Sequence, residues 1–94
     1  MANWRLYLLC RKCRDWEGAR DVLMQMLGRR QMPGAACTAL AKLYEHRFHD
    51  CARALDYALQ SARYDDGEAK ELLDRRVKRL RNRMSEGETR HGID

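Results

Sequence analysis

LAKLYEHRFHDCARALDYALQSA, residues 40–62, decides the fold class. With Cys37 just upstream, Leu40, Ala41, Leu43 and Tyr44 recur at the spacing of one face of a helix. After the polar break His46-Arg47-Phe48-His49, Asp50 offers a side-chain oxygen to a new helix start. Ala54, Leu55, Ala58, Leu59 and Ala62 then repeat the same period, with Tyr57 beside them. Two amphipathic helices joined by so short a connection form a helical hairpin.

Working outward, the same grammar recurs. Leu6, Leu9, Cys10 and Cys13 make a stripe on a first helix over about 2–13. Asp15 caps a second, whose face is Trp16, Ala19, Leu23, Met26 and Leu27 and which runs until Gly28. Pro33-Gly34 separates it from the third, which reaches about Arg47. The acidic run Asp65-Asp66-Gly67-Glu68 has the form of a capping box ahead of a fifth helix ending near Met84. Ala69, Leu72, Leu73, Val77, Leu80 and Met84 form its apolar stripe. The two glycines and sparse apolar content of 85–94 predict a flexible tail. Five helices and no sheet are expected, because strand-forming residues are scarce: valine occurs only as Val22 and Val77, isoleucine only as Ile93.

A chain of 94 residues supports one core, so residues 1–84 read as one domain. No apolar run approaches the ~20 residues that span a bilayer. Arg5, Arg11, Lys12 and Arg14 surround the short Leu8-Leu9 pair, so neither a membrane partner nor a signal peptide is expected. Free thiols in a cytoplasmic protein are the reading for the 4 cysteines. The net charge of +5 has an address. Residues 69–84 hold seven bases against two acids, whereas the remainder is balanced.

The chain also aligns with itself. At an offset of 35, Asp15 falls on Asp50, Ala19 on Ala54 and Asp21 on Asp56. The odd helices align at 34, pairing Leu6 with Leu40, Leu9 with Leu43 and Cys10 with Tyr44, so the turn after Tyr44 carries one extra residue. Two hairpins of this period indicate a helical repeat. Leu40, Ala41, Tyr44, Ala54 and Ala58 resemble the tetratricopeptide pattern of a small residue, an aromatic three later and an early alanine in the second helix. That resemblance implies a right-handed superhelix of two hairpins closed by a C-terminal capping helix, binding a protein or peptide partner. The first hairpin departs from the pattern, with Tyr7 at the small position and Cys10 at the aromatic one. A further resemblance covers about 36–84. Leu40 to His46, Asp50, Ala54-Leu55, Tyr57, Leu73 to Arg76 and Arg79-Leu80-Arg81 look like the C-terminal helical region of bacterial proteins that carry an RNase H-like, exonuclease-type domain. It implies an accessory module of such a nuclease, with that domain as one candidate partner.

No catalytic or cofactor-binding set emerges. The acids Asp15, Asp21, Asp50, Asp56 and Asp65 read as caps and exposed helix charges, not as the converging carboxylates of a two-metal hydrolase. Cys10-Arg11-Lys12-Cys13 has a CxxC spacing, but structural zinc pairs occupy tight turns rather than a helical apolar face, so packing thiols and no metal are expected. His46 and His49 suit a helix C-terminus. The alternative to protein binding is nucleic-acid contact through Arg75, Arg76, Lys78, Arg79, Arg81 and Arg83. Against it, no interleaved aromatics offer a base-stacking platform, and a terminal helix of a repeat array needs a solvated outer face anyway.

Overall fold

The computed structural model describes the backbone of residues 2–93 and the side chains of 3–85. Five helices follow one another: α1 Ala2–Lys12, α2 Trp16–Gly28, α3 Pro33–His46, α4 Cys51–Ser61 and α5 Lys70–Ile93. Among the described residues there is no strand, and no helix is long and apolar enough to cross a membrane. The fifth helix, expected to end near Met84, instead runs to Ile93 through the stretch expected as a flexible tail; of residues 85–94 only Ser85 has a described side chain.

Local chemistry sets the boundaries. Asp15 accepts from Gly18 N at 3.0 Å and Asp50 from Arg53 N at 3.1 Å, so both predicted caps form. α1 closes with Arg14 in the left-handed region, φ 59°, as Asp15 N donates to Cys10 O and Arg14 N to Arg11 O. α2 ends at Gly28 as expected and closes the same way, with Arg30 in the left-handed region at φ 55°. In the second hairpin Asp50 N reaches back one residue further, to Tyr44 O at 2.8 Å, and His49 takes the left-handed position. Cys10 and Tyr44 are the paired positions of the self-alignment, so the extra residue is a wider loop around the same hydrogen bond.

Each helix packs on its sequence neighbours, α1 on α2, α2 on α3, α3 on α4 and α4 on α5. Side chains also join helices two apart in sequence, since Glu45 of α3 meets Arg76, Arg79 and Arg83 of α5. α3 is the central element, with Ala36, Cys37, Leu40, Ala41, Leu43 and Tyr44 all buried. Ala54 and Ala58 of α4 are fully buried and let α4 approach closely. Leu23, Met26 and Leu80 complete the core from α2 and α5. Burial of each such side chain contributes about 1.5–3 kcal/mol.

Three sequence expectations are corrected. On α1 the buried residue is Tyr7, with Trp4 packed beside it, whereas Leu6 and Leu9 are 47% and 56% exposed and Cys13 lies exposed past the helix end. A large aromatic outcompetes leucine for the single face that α2 covers. On α5, Leu72 is exposed and only Leu73, Leu80 and half-buried Val77 pack inward. The acidic run before α5 does not form the expected box. Asp66 instead accepts from Gly34 N at 2.9 Å and Ala35 N at 3.4 Å, capping α3 from across the fold. Met32, at φ 46° before Pro33, supplies no cap of its own, which leaves those donors free. The crossing is so tight that a Cβ on Gly34 would collide with Gly67 N.

Candidate partner-binding groove and basic helix

The odd helices line an open cavity of about 620 Å³, within the range of ligand clefts. Trp4, Tyr7 and Arg11 form one wall, Thr38, Lys42 and His46 the floor, and Glu68, Ala69 and Leu72 the far wall. Trp16 closes one end, with the Arg47 guanidinium 4.2 Å from its ring centroid. Trp4 and Tyr7 pack ring to ring at 4.9 Å. The cavity thus combines aromatic surface with the cations Arg11, Lys42 and Arg47. Its two acids are committed elsewhere, Asp66 to the α3 N-terminus and Glu68 to Arg76. The charge left for a visitor is positive.

Beside the groove stands an ion cluster that holds α5 against α3. The Glu45 carboxylate is fully buried and receives Arg76 at 3.0 Å, Arg79 at 2.8 Å and Arg83 at 3.3 Å, with His46 Nε2 at 3.6 Å. Arg76 also pairs with Glu68 through two 2.9 Å bonds from Nε and Nη2. Burial pushes the Glu45 carboxyl up, but the Arg79 bond and charge, with His46 and Arg76, outweigh it and hold the carboxyl below the usual range. Glu68 is held low by its bond to Arg76, against the opposing effect of burial. Bonds to Glu68 and Glu45 raise Arg76 and Arg79, again against burial. A buried carboxylate with three guanidiniums is satisfied only in one register, so the cluster fixes where α5 lies more than it adds net stability.

The six cations proposed for nucleic-acid contact therefore divide. Arg76 is 9% exposed and internal. Arg79 and Arg83 are tethered to Glu45 but remain about half exposed. Arg75, Lys78 and Arg81 are exposed and, among the described residues, have no ion-pair partner. Arg75, Lys78, Arg79, Asn82 and Arg83 together edge a shallow depression along one face of α5.

Glu45, Glu68 and Asp66 were not legible as partners, although two signals existed. Glu45 falls on the buried arc of α3 four residues after Ala41, and Arg76, Arg79 and Arg83 share a helical face at i, i+3, i+7. Cys37 is buried, which together with the Asp66 charge raises its thiol pKa. Cys10 and Cys51 are half-buried. No three His, Cys, Asp or Glu side chains gather around a common point among the described residues. No protein-family model, curated protein sequence or solved structure matches the chain.

Proposed function

We propose that the protein is a non-catalytic helical-repeat scaffold, a tetratricopeptide-like superhelix of two hairpins and a capping helix, whose groove takes an acidic, apolar peptide segment of a protein partner. The observation that carries this reading is the groove itself. Trp4, Tyr7, Trp16 and Leu72 offer apolar contact, while Arg11, Lys42 and Arg47 bring three cations to the same lining as Asp66 and the Arg76-paired Glu68. Aromatic and arginine side chains are those that dominate peptide and protein interfaces. An RNase H-like domain is one candidate partner, which the sequence resemblance implies.

The chain has 2 tryptophans, and both line the groove, so occupancy has an intrinsic reporter. Titration with an extended peptide alternating Glu with Leu or Phe should change tryptophan emission. A Lys-for-Glu counterpart should bind at least about tenfold more weakly, and Arg11→Glu with Lys42→Glu should reverse the preference. Equal response to both peptides, or none, overturns the reading. The second reading is nucleic-acid binding through the α5 face that carries Arg75, Lys78, Arg79 and Arg83. It is supported by the continuity of those cations along one face, and it requires binding that falls steeply with salt.

A further inference from the structure

The two ends of the helical stack are finished differently. At the C-terminal end α5 turns Lys70, Glu71, Asp74, Arg75 and Lys78 to solvent, the polar outer face that closes an array. At the opposite end α1 leaves Leu6 and Leu9 about half exposed, with exposed Cys13 one turn beyond. This stripe is distinct from the groove, to which α1 contributes Trp4, Tyr7 and Arg11 from another side.

The internal repeat says what belongs there. Leu6 and Leu9 align with Leu40 and Leu43 of the second hairpin, and those are 0% and 7% exposed. α3 has a preceding helix, α2, packed on it, whereas α1 packs only on α2, which follows it. The stripe that is buried in the second hairpin is thus open in the first. Charge restricts the occupant. Residues 2–14 carry Arg5, Arg11, Lys12 and Arg14 and no acid, and exposed Arg5 and Lys12 sit along one edge of the stripe. Two α1 faces brought together would set these cations against each other, so a second copy is a poor fit.

We propose that the Leu6–Leu9 face of α1, with Cys13 just past its end, is a docking surface for an amphipathic helix of a partner protein, bearing a leucine-type apolar stripe flanked by acidic residues. The apolar contact supplies affinity and the Arg5–Lys12 edge selects the acidic flank.

The test uses the full chain and two side-chain-bridged helical peptides with the same leucine stripe, one flanked by Glu and one by Lys, followed by fluorescence anisotropy of a label on the peptide. The Glu peptide should bind, the Lys peptide at least about tenfold more weakly. The methyl resonances of Leu6 and Leu9 in the unsubstituted protein should shift with the Glu peptide. Leu6→Gln with Leu9→Gln should weaken that binding at least about tenfold, without altering the circular dichroism spectrum or the groove's response to an extended acidic peptide. Absence of binding, equal binding of the two helices, or binding that persists in the double variant while tryptophan emission changes overturns the proposal; the last outcome places the helix in the groove. So does a concentration-dependent dimer that the same double substitution abolishes, since the occupant is then a second copy.

Discussion

α1 and α5 are the first and last helices described and each carries an apolar stripe, yet α5 meets both α4 and α3 and buries most of its stripe, whereas the stripe of α1 is open. α5 buries Leu73 and Leu80 and locks its register through Arg76, Arg79 and Arg83 on Glu45. α1 buries Tyr7, leaves Leu6 and Leu9 in water, and makes one described side-chain hydrogen bond beyond its own hairpin, Asn3 to Gln31 at 3.0 Å. An apolar stripe marks a face that needs covering. Whether such a face is buried depends on which described helices pack on it, and the two ends differ in that respect.

The sharpest way to break this contrast is to remove the anchor. Glu45→Gln should destabilise by about 3–5 kcal/mol, because it leaves internal Arg76 with a single counter-charge and releases two other arginines. Urea denaturation measures it, and a change below about 1 kcal/mol would place α5 among loosely attached helices. Arg76→Gln should cost somewhat less, about 2–4 kcal/mol, since Glu45 keeps Arg79 and Arg83 while Glu68 loses its partner.

Acid should act on the same end. Glu45 and Glu68 have carboxyls held below their ordinary values, so their stabilisation is complete above the unfolded glutamate value of about 4.3. It is lost as the pH falls through their lowered folded values. Denaturation midpoints should therefore drop below about pH 4, and Glu45→Gln should flatten that drop. A midpoint that rises on acidification would contradict the sign.

Smaller effects sharpen the comparison. Asp66→Ala should cost about 1 kcal/mol by uncapping α3, read as a lower melting temperature. Leu6→Gln with Leu9→Gln should stay within about 0.5 kcal/mol. A loss of several kcal/mol there would mean that the α1 stripe is part of the core. Arg75→Gln, Lys78→Gln and Arg81→Gln together should leave stability unchanged. If α5 contacts phosphates, the salt slope of nucleic-acid binding should fall by up to about one per lost contact.

The sequence by itself determined the five helices, the caps at Asp15 and Asp50 and the self-alignment with its extra residue, because period, capping and turn chemistry are local and each is written within a few neighbouring positions. The burial of Leu40, Ala41, Tyr44, Ala54 and Ala58 was equally legible, since the central hairpin has a neighbour on each side and any stripe it carries is covered. Tertiary structure decided what depends on distant partners: that Tyr7 rather than Leu6 packs inward, that Asp66 caps α3 and not its own helix, and that Glu45 gathers arginines 31 to 38 positions away. It also separated internal Arg76 from exposed Arg75, adjacent residues alike in chemistry. A charge pattern records which side chains share a helix face, but the neighbour that face meets is fixed only when the helices stack.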